Sequence, residues 1–249
     1  VEAVFKVAGF PEYTQVIRQN FTITLPWDIK ANGIASPVIN VSKKYPLGSN
    51  IPVNVRVLNL GTSLVDSVAV NAKIFFGNST TPVYSRDVVW VNKNDALSVG
   101  EFAAVALKDF RPTEVGVYRM EYTVELLNWI DQDPSNNYFP NSGVYNFEVA
   151  HQVEASVKNI SLPAASMYVG HPVVPTASFG NNGVDDISNV PTRITIKDSK
   201  GNIVYTSESI IESIPFSGIQ QSEYRFPNTF VPTEIGTYTV EVSINPDFD

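Results

Sequence analysis

The sequence predicts an all-β fold made of two tandem β-sandwich domains. Residues 110–122 recur as residues 230–242, with Phe, Pro-Thr-Glu, an aliphatic residue, Gly, Tyr and a later Glu in one register. Such self-similarity indicates two copies of one structural unit. Around the motif, short alternating apolar segments are separated by turn residues, which is typical of sandwiches and not of alternating strands and helices. A chain of 249 residues is long enough to give each domain its own core.

Composition and charge exclude several kinds of partner and site. The chain has 17 basic and 25 acidic residues, a net charge of −8, and no cluster of Lys or Arg, so nucleic acid is not an expected partner. Cysteine is absent, which excludes disulfides and thiolate metal sites. No apolar run reaches the roughly 18–20 residues that span a bilayer, so the chain is not expected to be membrane-spanning. It begins with Val1 and not Met, which favours a processed, secreted form or a fragment.

Residues 1–12 are predicted to be an N-terminal extension that contains one strand. Its apolar side chains alternate with Glu2 and Lys6, and Pro11 ends the run. The apolar face consists of Val1, Ala3, Phe5 and Val7.

The first sandwich is predicted to cover residues 13–150. We expect its strands at residues 13–25, 37–41, 51–58, 68–76, 83–91, 95–109, 118–126 and 143–150. Residues 28–36, which include Asn32-Gly33, are predicted to be a connection. Alanine content favours helix at 95–109, but the matching residues 210–226 contain Pro215 and Gly218, so both segments are predicted to be mostly strand.

The second sandwich is predicted to cover residues 151–249. Its Gly170 and its Asn181-Asn182-Gly183 turn match Gly48 and Asn59-Leu60-Gly61 at the repeat spacing. Gly116 and Tyr118 of the first domain match Gly236 and Tyr238 of the second, each pair placed after a turn and before an alternating strand. An immunoglobulin-like (Ig-like) sandwich has its tyrosine corner at that point, with the Tyr hydroxyl bonded to the upstream backbone.

Both repeats resemble the Ig-like modules of prokaryotic surface proteins, especially the cell-adhesion-related type. The resemblance covers residues 37–249 and is carried by Asn59-Leu60-Gly61, by Gly116-Val117-Tyr118 and by the polar loop at 131–137. It implies an extracellular, non-catalytic module and identifies no ligand.

The two repeats differ in the residues after the shared motif. In the first, residues 143–150 supply a closing strand, whereas in the second the sequence ends at Asp249 soon after the strand at 238–244. Residues 1–8 can be laid over 143–150, with Phe5 on Phe147 and Val7 on Val149. This alignment suggests that the N-terminal strand of one subunit completes the second domain of the next and so builds a head-to-tail homopolymer.

Two other interpretations of this difference stay open. In the first, the sequence was cut before its last strand; Asp247-x-Asp249 repeats the pattern of Asp131-x-Asp133, with which the polar loop before the closing strand of the first repeat begins. Alternatively, residues 1–8 can close their own second domain, although they would have to run back over the first. The polymer interpretation resembles pili and archaeal adhesive threads assembled by strand donation, a likeness of architecture and not of a motif.

The remaining candidate sites carry weaker signals. No Gly-x-Ser-x-Gly or His-Glu-x-x-His motif occurs, so we expect neither an enzyme nor a cofactor. Asp131 and Asp133 are weak calcium candidates, because carboxylates suit Ca²⁺ but the spacing lacks the Gly and terminal Glu of an EF-hand loop. The three Trp residues can stack on sugars or pack in the core. Sequons for N-glycosylation occur at Asn20, Asn40, Asn78 and Asn159.

The sequence therefore predicts a structural subunit of an extracellular surface filament, polymerised by strand donation and used in adhesion. Its expected partners are identical subunits and surface glycans. The alternatives are a repeat segment of a large cell-surface adhesin or S-layer protein, and a carbohydrate-binding accessory module.

Overall fold

The protein is almost entirely β in a computed structural model. The structure describes residues 2–5, 13–16, 18–39, 44–216 and 222–244. Within these ranges there are 17 strands and one short 3-10 helix, Pro134–Asn136, and no α-helix. The predicted all-β fold class with Ig-like sandwiches is confirmed.

Domain 1 is a sandwich of two sheets. Its strands are β3 (Ile29–Ser36), β4 (Tyr45–Pro46), β5 (Ile51–Asn59), β6 (Ser67–Phe76), β7 (Tyr84–Val91), β8 (Phe102–Phe110), β9 (Gly116–Leu126), β10 (Tyr138–Phe139) and β11 (Tyr145–Ala150). One sheet has the order β3-β5-β8 and the other β4-β11-β9-β6-β7, with β10 beside β9. Side chains alternate between core and solvent: Ile51, Val53, Val55 and Val57 of β5 are buried.

Domain 2 repeats this arrangement with fewer strands. They are β12 (Ala155–Leu162), β13 (Thr176–Asn181), β14 (Ile187–Lys197), β15 (Ile203–Ile214), β16 (Ser222–Arg225) and β17 (Thr239–Ile244). The sheet β12-β13-β16 corresponds to β3-β5-β8, and β15-β14-β17 corresponds to β7-β6-β9. Among the described residues, domain 2 has no counterpart of β4 or β11.

An Asn-x-Gly turn closes the same loop in each domain. Asn59 Oδ1 accepts the Gly61 N–H at 3.0 Å, and Asn181 Oδ1 accepts the Gly183 N–H at 2.9 Å. A Cβ on Gly61 would lie 2.5 Å from Pro26 O, and one on Gly183 would lie 2.7 Å from Val153 Cα. The glycines are therefore required because another segment of backbone passes against each turn.

The N-terminal segment forms a hairpin of its own. Strand β1 (Glu2–Phe5) pairs antiparallel with β2 (Tyr13–Val16), Glu2 opposite Val16 and Phe5 opposite Tyr13. Within the described ranges, these two strands make a separate sheet and join no sheet of either sandwich. In sequence, β2 lies inside the range predicted for domain 1, but its strand partner is β1 of the N-terminal extension.

The start of domain 1 differs from the sequence prediction. Residues 28–36, predicted to be a connection, contain strand β3, while residues 18–28 and 37–39 are outside any strand. The alternation of Phe21 and Ile23 was misleading, because both side chains are exposed. Asn32-Gly33 marks a bulge within β3, where the register with β5 shifts between Ala31 and Ile34 and Gly33 has φ +93°.

Candidate functional site

The repeated Tyr forms the same backbone hydrogen bond in both domains. Tyr118 Oη donates to Glu114 O at 2.8 Å, and Tyr238 Oη donates to Glu234 O at 2.9 Å. Each hydroxyl thus bonds to a carbonyl four residues upstream, which is the geometry of a tyrosine corner. Burial raises the pKa of Tyr118, although its hydrogen bond to the Glu114 backbone works in the opposite direction.

Each tyrosine corner belongs to a trio of aromatic rings. In domain 1, Phe110 lies edge-on to Tyr84 and Tyr118, with centroids 5.8 and 5.3 Å away. In domain 2, Phe230 makes the same contacts to its two tyrosines. The distances are 5.7 Å to Tyr205 and 5.8 Å to Tyr238. The two sandwiches therefore share one packing unit at this position.

In domain 1, strand β11 covers this unit with a fourth ring. Phe147 stacks on Tyr118, with ring centroids 5.6 Å apart, and lies near Phe110. It also makes an edge contact with Tyr45, at 5.8 Å. The backbone of β11 pairs antiparallel with β9 and, at its end, parallel with β4. Tyr118, Met120, Tyr122 and Val124 on the inner face of β9 are all buried; β11 pairs with β9 as far as Met120, and β10 pairs with it at Tyr122.

In domain 2, the outer edge of β17 has no strand partner among the described residues. Tyr238, Val240 and Val242 occupy the positions of Tyr118, Met120 and Tyr122, yet they remain partly exposed. Strand β17 begins only at Thr239, whereas β9 begins at Gly116 because Val149 of β11 pairs with it.

A groove of ≈ 660 Å³ lies where the fourth ring and its strand would be. Met167, Phe230 and Tyr238 line it and match, in the repeat, the three residues that contact Phe147. Its lining is mostly apolar, and Glu234 is the one carboxylate among the described residues that form it. An apolar groove beside an unpaired strand edge can bind an extended peptide: backbone groups supply the hydrogen bonds and alternate side chains fill the groove.

The predicted donor residues are only partly within the described residues. Ala3 and Phe5 lie on β1, whereas Val1 and Val7 lie outside the described residues. The structure thus shows the central part of the predicted donor as a strand, paired with β2 and separate from the groove's sheet.

The predicted calcium candidates serve the backbone of a loop. Asp131 accepts the N–H groups of Ile29 and Asp133, at 3.2 and 2.9 Å, and Asp133 caps the short 3-10 helix through the Ser135 N–H. In the part of the chain that the structure describes, no three acidic, His or Cys side chains form a group able to hold a metal ion.

Asp28 is a buried carboxylate beside this loop, and no local sequence pattern predicts it. Its Oδ1 accepts the Asn136 side-chain N–H at 3.0 Å. Burial raises the pKa of Asp28; the Asn136 hydrogen bond opposes this shift, and the charges of Asp131 and Asp133 add to it. Because the pKa is higher in the folded state than in the unfolded state, protonation of Asp28 favours folding.

We expect D28N to stabilise the protein at pH 7 by a few degrees in Tm. An amide keeps the Oδ1 acceptor and removes the buried charge. The gain should vanish as the pH falls below the unfolded-state pKa of about 4, where Asp28 is protonated in both states. Thermal unfolding of D28N and wild type between pH 3 and 8 measures this, with the exposed Asp95→Asn as the control. A gain that persists at pH 3 would contradict the assignment.

Three predicted glycosylation sites lie among the described residues. Asn20, Asn78 and Asn159 are exposed, with Asn78 in the turn between β6 and β7, while Asn40 lies outside the described residues. Their modification stays a prediction. In the described part of the chain, no helix has the length and apolar character needed to cross a membrane.

Two of the three tryptophans pack against each other. Trp27 and Trp129 stack with centroids 4.3 Å apart and an interplanar angle of 7°. Trp27 is partly buried, but Trp129 is exposed. Trp90 packs against the core of domain 1. A contact between residues so far apart in the chain leaves no signal in the local sequence.

Comparison with known proteins gives weak structural likenesses and no family. No family model and no curated protein matches the chain. A CARDB domain from Pyrococcus furiosus, solved in complex with di-metal ions, is 22% identical over 53% of this chain and 99% of its own, with a TM-score of 0.37. Red sea bream transglutaminase is 11% identical over 90% of this chain and 29% of its own, with a TM-score of 0.33.

A complex of a chaperone and a tip adhesin in the biogenesis of CFA/I fimbriae is also similar. The identity is 16% over 81% of this chain and 96% of that one, with a TM-score of 0.23. Since all these TM-scores are below 0.5, the likenesses do not bear on function.

Proposed function

We propose that this chain is the structural subunit of an extracellular surface filament that serves adhesion. The subunits polymerise head to tail, because the N-terminal strand of one copy enters the groove of domain 2 in the next copy. The observation that carries the proposal is the contrast between the two repeats: the same aromatic unit is covered by β11 in domain 1 and, among the described residues, is open beside β17 in domain 2.

The register of the inserted strand follows from domain 1. With Phe5 in the place of Phe147, its backbone lies opposite Tyr238, as Phe147 lies opposite Tyr118. Val7 then takes the place of Val149, opposite Gly236 and beside Met167. The two apolar side chains point into the groove, and Lys6 points outward between them.

The described pairing of the N-terminal strand is short. Within the described residues, β1 pairs with the four residues of β2 and with no other strand. An isolated two-stranded hairpin is marginally stable in water. Insertion beside β17 gives β1 a longer partner and a buried apolar face, so the strand is expected to prefer the groove.

The contact between donor strand and groove joins two different surfaces. A contact of this kind leaves one free strand and one free groove at the ends of every chain of subunits, so it builds an open filament. Adhesion and an extracellular location are proposed because the Ig-like modules that the repeats resemble belong to prokaryotic surface proteins.

Deletion of residues 1–9 is expected to abolish filaments and leave a folded monomer. The deletion removes the donor strand and no strand of either sandwich. Size-exclusion chromatography and negative-stain electron microscopy of the deleted and full chains measure the effect. Glu2→Ala is the control, because Glu2 alternates with Ala3 and Phe5 in the sequence, so the change should leave filaments intact.

Filaments that form without residues 1–9 would exclude this strand as the donor. If the full chain is instead a monomer at all concentrations, the groove is filled by other means. A later segment of a longer chain would then close it, as expected for a repeat of a large adhesin or S-layer protein.

A further inference from the structure

Exposed apolar side chains are concentrated at the free end of domain 1. This end, called here the entry end, consists of loops 60–64 and 127–132 together with residues 25–28. The loops are joined, since the Ser63 N–H bonds to Pro26 O at 2.9 Å and the Gln132 N–H to Trp27 O at 3.0 Å. Ile130 is 86% exposed, Leu64 62% and Trp129 56%. Exposed apolar side chains on loops that are joined in this way are typical of an interaction surface.

The opposite, free end of domain 2 carries a second patch. This exit end consists of loops 166–170 and 231–236, which the Gly170 N–H joins by its bond to Pro232 O at 2.8 Å. Ile235 is 96% exposed and Tyr168 84%. The patch lies beside the mouth of the groove, because both loops also line it.

The junction between domain 1 and domain 2 within one chain joins the counterparts of these two ends: the end of domain 1 that corresponds to the exit end, and the end of domain 2 that corresponds to the entry end. There Lys44 Nζ of domain 1 donates to Asn182 O of domain 2 at 3.4 Å, and Lys44 also pairs with Glu148 at 2.8 Å. In the repeat alignment Asn182 and Asp186 occupy the positions of Leu60 and Leu64. The entry end of domain 1 is thus apolar at two positions where its counterpart in domain 2, which faces the internal junction, is polar.

We infer that the exit end of one subunit docks on the entry end of the next, so that a second, apolar contact accompanies strand donation. This inference rests on the proposed function. An inserted strand that follows the path of β11 runs toward the start of β17, which is the exit end, and the chain leaves it there to enter the next domain 1. The two patches are therefore brought together by the donated strand, and each covers the other.

The first test charges the two patches. Ile130→Asp and Ile235→Asp are each expected to raise the concentration needed for filament assembly about tenfold or more, because each exposed Ile would be buried at the contact. Val89→Asp and Ile210→Asp are the controls, since both residues are exposed, at 55% and 57%, and lie within strands β7 and β15 instead of in the loops of the two ends. Light scattering against subunit concentration measures assembly. Equal effects of patch and control variants would overturn the inference.

The second test measures proximity directly. Lys44 and Asn182, which meet at the internal junction, correspond to Ser166 of the exit end and Leu60 of the entry end. Because the chain has no cysteine, a Ser166→Cys, Leu60→Cys variant treated with a short bis-maleimide should give a covalent ladder. A Ser166→Cys, Val89→Cys variant should give none. Absence of the first ladder from intact filaments would contradict the inference.

Failure of the inference can be told apart from failure of strand donation. A synthetic peptide of residues 1–10 should raise the Tm of the chain that lacks residues 1–9, with or without Ile130→Asp, because Ile130 is not among the residues that line the groove. If the peptide has no effect on either chain, strand donation itself is wrong. If it stabilises both and no ladder forms, only the end-to-end contact is wrong.

Discussion

Moving residues 1–8 behind Asp249 through a short Gly/Ser linker is expected to give a monomer that is about 3–6 kcal/mol more stable than the chain without residues 1–9. The gain comes from burying Phe5 and Val7 in the groove, at about 1.5–3 kcal/mol for each large apolar side chain. In the proposed register the inserted strand is antiparallel to β17, so it would start beside the end of β17, where a short linker can reach it. Calorimetry of both chains measures the gain.

The control for this chain places a charge in the groove. With Phe5→Asp in the moved strand, most of the gain should disappear, because a carboxylate would be buried among Met167, Phe230 and Tyr238 without a partner. The chain with Phe5→Asp should stay a monomer as long as its moved strand remains in its own groove. If the rearranged chain is equally stable with and without Phe5→Asp, the moved strand does not use this register.

The features that could be predicted from the sequence are those repeated in it. The motif at 110–122 and 230–242 places the same turn, Tyr hydroxyl bond and aromatic trio in both domains, because local chain geometry and neighbouring strands fix all three. The closing strand of domain 1 could also be predicted, since residues 143–150 alternate and contain β11. These features follow from the order of residues along the chain.

The missed features depend on contacts between distant segments. Apolar alternation at Phe21–Leu25 suggested a strand, but strand formation needs a partner edge, and the edge of β5 is occupied by β3. Strand β4 has only two residues and exists because the end of β11 pairs with it. Asp28 and the Trp27–Trp129 stack follow from loops that meet at the entry end, which no periodicity reveals.

Phe147→Ala is expected to destabilise domain 1 by about 3–5 kcal/mol, the cost of removing a buried aromatic side chain from a packed core. Phe147 is 4% exposed and contacts the rings of Tyr45, Phe110 and Tyr118. Its loss leaves in domain 1 a groove like the one in domain 2. Chemical denaturation of the chain without residues 1–9 measures the effect, so that polymerisation does not contribute.

The matched change on the donor strand, Phe5→Ala, should affect filament assembly and not the stability of the subunit. Phe5→Ala in the full chain is expected to leave the unfolding of the free subunit unchanged and to prevent filaments, since Phe5 fills the groove of another copy in the proposed filament. Phe147→Ala should instead weaken the subunit and leave the donor strand intact. If Phe147→Ala costs less than about 1 kcal/mol, the closing strand is not what stabilises the aromatic unit. The open groove of domain 2 would then lose its energetic reason to capture a strand.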